Sequence, residues 1–359
     1  NNTDSVGTRT VAIDAFDADL SPLAKSVSLP ERDDLVGAAL TTDGSGALYL
    51  AAHHLSYSEG DRALVVAKSS PEGEAPAFQT TLGGSGATIA TDLVADGTGI
   101  SVAGYTSGTI VTDNFGGDDF YVARLSADGS LLWQLQWGTA ANDRLKAITC
   151  DASGTLYVAG VSAGYSAEGL TGRSGYVAAI DLQGALIWEA LWGTEAEDWA
   201  WDITTDASGY IYVAGTTMGD LYGNINAGGF GDVALVVYTA DGRQTMVHQF
   251  GTMADDEGVA LCVNDESGEI HITGYYGESG VYSQGGGNIM LHTVSSEGAT
   301  IKTTSWGTDN YETGSAISCL PQSVLIAGWG FDAPTEDATP FARPFLMHAP
   351  IFEQAPDLP

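Results

Sequence analysis

The chain has 359 residues, 46 of them acidic and 12 basic, for a formal net charge of −34. That balance excludes nucleic acid as a partner, because phosphate contacts need clustered Lys and Arg, and it disfavours anionic membrane surfaces. No apolar run is long enough to insert into a bilayer, and 44% apolar with 9% aromatic residues excludes a disordered chain.

The acidity itself reads as a solvated, self-repelling surface suited to extracellular water; the other reading is a set of cation-loaded loops. The chain begins at Asn1 with neither an initiator Met nor a signal-like segment, as expected of a processed form or of a piece of a longer protein.

In chain order, the first predicted element is a hairpin over residues 9–29, carrying VAIDAF from Val11 and LAKSVSL up to Leu29. A repeat follows. The tetrad Asp-x-Ser/Thr-Gly opens at Asp43, Asp96, Asp151, Asp206 and Asp265, at intervals of 53, 55, 55 and 59 residues. Each tetrad precedes a strand-like run: ALYLAA, ISVAG, TLYVAG, YIYVAG and EIHITG. A sixth run, VLIAG, ends at Gly328. A second marker keeps the same period: LGG at Leu82, WGT at Trp137, Trp192 and Trp306, and FGT at Phe250.

Within one period, two hairpins alternate. The first-hairpin signatures lie near 36–52, 89–104, 145–160, 200–215, 258–274 and 315–328, and the second near 63–82, 120–137, 176–192, 233–250 and 289–306. Second-hairpin turns carry Glu72-Gly73, Asp128-Gly129, Gln183-Gly184, Asp241-Gly242 and Glu297-Gly298. Four short alternating strands per 55 or so residues make an antiparallel meander. One such sheet cannot bury both its faces, but copies packed face to face around an axis can. The predicted fold is therefore an all-β propeller of four-stranded antiparallel blades.

The tetrad Asp is assigned to capping its turn, and the Trp or Phe of the WGT marker to packing between blades. Six blades result if the N-terminal strands, residues 9–29, complete the last blade and close the ring. Seven result if PFLMHAP, Pro344 to Pro350, and the N-terminal hairpin belong to different blades. The propeller then spans 1–350. Six of the eleven prolines fall between Pro334 and Pro359, which marks 334–359 as a Pro-rich C-terminal arm.

The unit that runs from WGT-x-x-x-D through DASG-x-x-YVAG to GG-x-DFYVARLSADGSLLW resembles the bacterial SBBP β-propeller repeat, over roughly residues 30 to 330. That resemblance implies a secreted or cell-surface propeller, often one module of a larger protein, and no shared catalytic residues.

No nucleophile elbow, His-Glu-x-x-His motif or P-loop is present. Cys150, Cys262 and Cys319 each sit in an alternating apolar run and read as buried structural thiols. The six histidines are scattered. The acidic loops at Asp118, Asp119, Asp255 and Asp256 are the candidate Ca²⁺ ligands; no other cofactor is expected. Asp92 and Asp202, each four residues before a tetrad Asp, are placed on the strand nearest the axis, facing the channel.

The loops between second and third strands hold Tyr105, Tyr165, Tyr222, Tyr275, Tyr276 and Tyr282, a candidate contact surface for a protein or glycan at the cell surface. The leading expectation is a non-enzymatic extracellular propeller, a structural or protein-binding module open to self-assembly. The alternative is a carbohydrate-active or other hydrolytic propeller with acids at the channel mouth.

Overall fold

The computed structural model describes residues 12–16, 22–28, 35–54, 63–69, 76–165, 170, 172–277, 287–307, 311–331 and 342–351. It is an all-β, six-bladed propeller, with no helix among the described residues. β1 (Ala12–Phe16) and β2 (Pro22–Ser28) pair as a hairpin of their own. The first blade comprises β3 (Leu35–Thr42), β4 (Leu48–His54), β5 (Leu64–Ser69) and β6 (Pro76–Leu82). The second comprises β7 (Thr88–Ala95), β8 (Gly99–Thr106), β9 (Asp119–Ser126) and β10 (Leu131–Trp137). The third comprises β11 (Asp143–Cys150), β12 (Leu156–Ser162), β13 (Ser174–Ile180) and β14 (Leu186–Trp192). The fourth comprises β15 (Asp198–Thr205), β16 (Ile211–Thr217), β17 (Asp232–Tyr238) and β18 (Gln244–Phe250). The fifth comprises β19 (Asp256–Val263), β20 (Ile270–Gly277), β21 (Gly287–Val294) and β22 (Thr300–Trp306). The sixth has β23 (Glu312–Leu320), β24 (Ser323–Phe331) and β25 (Ala342–Pro350), so the PFLMHAP segment is a strand paired with β24.

The chain divides into two compact units: Asn1–Tyr165 with Ala179–Ile187, and Ser166–Ala178 with Trp188–Pro359. In the first five blades the second and third strands are largely buried on both faces, whereas β25 of the sixth is mostly exposed. The fourth strand is buried on one face at most: β10 and β14 begin on exposed pairs, Leu131-Leu132 and Leu186-Ile187. This is the pattern expected where sheets stack on sheets. Tyr49, Leu64, Val66, Leu93, Ile100, Val102, Tyr121 and Leu125 make the core of the first unit. Tyr212, Leu235, Val237, Leu261, Ile270, Ile272 and Met290 make that of the second.

In the first, third and fourth blades the tetrad Asp caps its turn and also anchors the tyrosine of the following strand. Asp43 Oδ1 accepts the N–H groups of Ser45 (2.9 Å) and Ala47 (3.0 Å), while Oδ2 accepts the Tyr49 hydroxyl at 2.9 Å. Asp151 repeats this with Ser153, Thr155 and Tyr157, and Asp206 with Ser208, Tyr210 and Tyr212. The fifth blade departs from the sequence reading. Its cap is Asn264, whose Oδ1 accepts the N–H groups of Glu266 and Ser267, and Asp265 stands exposed. The turn is one residue longer there, closed by Gly268 N–H on the Asn264 carbonyl at 2.7 Å.

A second repeated device joins neighbouring blades. In four of the second-hairpin turns the glycine lies over a fourth-strand side chain of the preceding blade: Gly129 over Phe78, Gly184 over Trp133, Gly242 over Trp188 and Gly298 over Met246. In the indole cases a hydrogen bond locks the contact, Trp133 Nε1 to Leu182 O and Trp188 Nε1 to Ala240 O, both 2.9 Å. A Cβ on Gly184 would stand 2.8 Å from the Trp133 ring, and its φ of +85° excludes most side chains independently. The WGT tryptophan packs as expected in the second unit: Trp192 is fully buried, with Gly215 against its ring.

The three cysteines are not three buried thiols. Cys262 on β19 and Cys319 on β23 form a disulfide, Cα–Cα 5.7 Å, and Cys150 stays outside it as a thiol. The two strands are the first of adjacent blades, a relation invisible in a count of three cysteines. Burial pushes the Cys150 thiol up to about 11.

Candidate functional site

Every first strand carries a bulge: at Gly37/Ala39, Ala90/Asp92, Leu145/Ala147, Ala200/Asp202, Gly258/Ala260 and Gly314/Ala316. Asp92 and Asp202 stand at this bulge in the second and fourth blades. They were expected to face the channel as solvated or cation-binding acids. Instead each reaches the first strand of the next blade: Asp92 Oδ2 accepts Ile148 N–H and Asp202 Oδ2 accepts Leu261 N–H, both at 2.8 Å. Their second oxygens accept the N–H of the following residue, Leu93 or Ile203. Both are straps between blades. Withdrawal from water raises the Asp202 carboxyl to about 6 against the pull of those two N–H groups.

A larger set of acids lines the strand ends that bear the loops between second and third strands. In the first unit, Asp119 begins β9 and Asp143 begins β11, both fully buried. Asp119 Oδ2 accepts Gln136 Nε2 (2.7 Å) and Phe115 N–H (3.1 Å). Asp143 Oδ2 accepts Thr139 N–H (2.5 Å) and Thr139 Oγ1 (2.7 Å), and its Oδ1 accepts the Ser162 hydroxyl. The second unit repeats the arrangement. Asp232 Oδ2 accepts Gln249 Nε2 (2.9 Å) and Ala227 N–H (2.8 Å), and Asp256 is held by Thr252 and Gly277 N–H. Burial, then the facing Asp232, lifts the Asp256 carboxyl to about 6, and burial also raises Asp232.

The second unit adds an aromatic wall. Trp199 and Trp201 on β15 are half-buried and stacked, centroids 6.5 Å apart with an interplanar angle of 11°. Glu257 holds on β19 the strand position that Trp199 holds on β15, one residue inside the strand start. Its carboxyl is half-buried and hydrogen-bonded to Tyr275; burial raises it, and the neighbouring Asp255 adds to the rise. Tyr275 then packs edge-on to Tyr311 at 5.1 Å, and Tyr311 against Trp329 at 5.4 Å. Sequence reasoning passed over Trp199, Trp201 and Asp232, and met Glu257 only as the end of an acidic loop. Their signal was the register: Asp232 stands first and Trp199 and Glu257 second in strands that the repeat itself locates, and Trp201 follows two residues after Trp199.

The acids proposed as cation ligands from adjacency do not act in adjacent pairs. Asp118 is spent on Arg144, Nε–Oδ2 2.6 Å, and Asp255 accepts Phe230 N–H at 2.5 Å. Asp119 and Asp256, the first strand residues after them, are directed instead toward Asp143 and Asp232, over Gly138 and Gly251. Of the loop tyrosines, Tyr105, Tyr275 and Tyr276 lie within strands and are half-buried, Tyr105 under the Arg144 guanidinium at 5.0 Å. Tyr165 is half-buried and stacks toward Phe120 at 6.4 Å. Tyr222 is 55% exposed in a left-handed conformation, φ 47°. Tyr282 lies outside the described residues. Among those residues no three His, Cys, Asp or Glu side chains converge on one point as a metal-ligand set. Burial holds His271 and His292 down, to about 4 and about 3.

No protein-family model matches the chain, and no curated protein matches it. Solved structures do. The periplasmic gluconolactonase of Pseudomonas aeruginosa has a TM-score of 0.52 at 13% identity, covering 96% of either chain. An α-L-arabinofuranosidase from Fusarium graminearum has a TM-score of 0.51 at 11% identity, over 88% of this chain and 94% of that one. An ulvan lyase of a polysaccharide lyase family has a TM-score of 0.51 at 10% identity, over 88% and 79%. At these identities the likeness is one of fold. It nevertheless overturns the expectation of a chain that is not an enzyme. Three propellers of similar fold are a lactonase, a glycosidase and a lyase, so lacking a recognisable catalytic motif excludes no activity here.

Proposed function

We propose that the chain is a carbohydrate-active propeller that hydrolyses a lactone or glycosidic bond of a sugar seated against Trp199 and Trp201, with Glu257 as the carboxylate at the reacting bond. The observation that carries this is the placement of a stacked, half-buried tryptophan pair on β15 beside β19, which presents Glu257 at the matching strand position. Indole faces take the apolar face of a sugar ring, and the Tyr275 hydroxyl fixes the carboxylate beside it. The gluconolactonase, arabinofuranosidase and ulvan lyase that share the fold support a sugar-derived substrate. An oxidising compartment, periplasmic or extracellular, fits the Cys262–Cys319 disulfide and the acidic surface.

The test is turnover by the purified chain on aldonolactones, arabino-oligosaccharides and ulvan. Glu257→Gln is expected to lower kcat by about 100-fold or more with little change in KM. Trp199→Ala is expected to raise KM instead. Wild-type rates from Glu257→Gln, or no turnover and no saturable binding of any of these sugars, would refute the proposal.

A further inference from the structure

We infer that the paired buried aspartates, Asp119 with Asp143 and Asp232 with Asp256, each hold a divalent cation of the calcium class. The argument starts from an unpaired atom. Asp119 Oδ1 and Asp232 Oδ1 belong to fully buried side chains, and neither accepts a hydrogen bond. A buried, bare carboxylate oxygen is costly unless a proton or cation answers it. Both bare oxygens point at the same place, the glycine of the WGT or FGT marker. A Cβ on Gly138 would stand 2.9 Å from Asp143 Oδ2 and 3.2 Å from Asp119 Oδ1; on Gly251 it would meet Asp256 Oδ2 at 2.7 Å and contact Asp232 Oδ1. Two carboxylates from different strands therefore converge over a residue that has no side chain to fill the space.

The repeat supplies an internal control. Gln136 and Gln249 hold the other oxygen of Asp119 and Asp232, and each turns its own Oε1 to a loop N–H, of Ile110 (3.0 Å) or Leu221 (2.8 Å). Where the third-strand Asp is missing, the Gln is missing too: Ala63 goes with Thr81, Ser174 with Leu191, and Asn288 with Ser305. The Asp and its Gln bracket come as a set in two blades out of five. The bracket leaves the same oxygen free each time, which is the behaviour of a ligand rather than of a turn cap. All donors are oxygens, which suits a hard cation. Two carboxylates per site, with water and backbone completing the shell, place the affinity in the range of extracellular modules, about 0.1–1 mM.

The experiment uses the full chain, stripped with chelator and dialysed into buffer with about 0.15 M NaCl to screen the diffuse surface charge. Calcium chloride is titrated by calorimetry, and binding stoichiometry is read for wild type, Asp119→Asn, Asp232→Asn and the double variant, each checked for its β-sheet circular dichroism. Asn keeps an oxygen for the Gln bracket and puts an amide where the bare oxygen stood, so the fold is expected to persist. The expected result is two sites in wild type, one in each single variant and none in the double, with a calcium-dependent rise in Tm lost in the same steps. Absence of saturable binding, or a stoichiometry that the variants leave unchanged, would overturn the inference. So would single variants that bind no calcium themselves but are more stable than wild type in chelator while wild type ignores calcium, since the pair would then hold a proton.

Discussion

The strap from Asp202 to Leu261 gives a prediction whose sign follows from burial. The Asp202 carboxylate accepts two backbone N–H groups, yet its loss of water raises it from 3.8 to about 6. The unfolded chain releases this proton near pH 4 and the folded chain near pH 6, so between those values the fold binds the extra proton. Stability from this group is fully present below about pH 4 and is lost as pH rises through about 6. A shift of some two units corresponds to roughly 3 kcal/mol. Other acids titrate in the same window, Asp256 among them, so wild type alone would not isolate the effect. Asp202→Asn removes the titration while keeping one acceptor oxygen. The measurement is urea unfolding of both proteins at half-unit steps from pH 4 to 8. Whatever the fixed cost of the amide, the variant is expected to gain on wild type by roughly 3 kcal/mol between pH 4 and 6.5, and then to run parallel. Stability curves parallel across the whole range would show that the strap carries its charge at no cost, and the reasoning would fail.

Two further predictions concern the cysteines. The Cys262–Cys319 bond closes a loop of 57 residues, for which chain entropy gives about 4 kcal/mol. The Cys262→Ala/Cys319→Ala double variant, or wild type in reductant, is expected to lose stability of that order in chemical unfolding; a loss under about 1 kcal/mol would sink it. Cys150, held as a thiol by burial, is expected to resist alkylation at pH 8 in the folded chain and to react only on unfolding, as mass spectrometry of iodoacetamide-treated protein would show.

The blades were legible because the residues that set them act locally. Asp43, Asp151 and Asp206 each bind N–H groups two and four residues on, so a spacing in the sequence is already a contact in the fold. Asn264 escaped because the fifth turn is one residue longer and an Asp happened to stand where the tetrad would begin. What remained illegible lies between blades. The Cys262–Cys319 bond, the Asp92 and Asp202 straps and the Asp119–Asp143 pair all join different blades. Adjacency in sequence misled for a specific reason. Asp118 lies before β9 and turns to Arg144, while Asp119 opens the strand, and the acid that matters to Asp119 stands at the next blade's start.

The second blade shows how one anchor replaces another, and this yields the last prediction. Where other blades place Tyr49, Tyr157 or Tyr212 against the tetrad Asp, this one has Ser101, too short to reach Asp96. The gap is filled from the opposite strand. Arg124 pairs with Ser101 in register on β9, and its guanidinium meets Asp96 Oδ2 at 2.7 Å, Thr98 Oγ1 at 2.8 Å and Ser101 Oγ at 3.0 Å. The pair is buried, with side chains 4% and 10% exposed, so removing one partner strands the other's charge. Arg124→Ala is expected to cost about 3–5 kcal/mol in urea unfolding, and Ser101→Ala much less. If the two anchors are interchangeable, adding Ser101→Tyr to Arg124→Ala rebuilds the hydroxyl-to-carboxylate contact of the other blades in the space the guanidinium leaves, and most of the loss returns. A double variant no more stable than Arg124→Ala would mean that the second blade needs the cation itself, and that its departure from the repeat is more than a change of anchor.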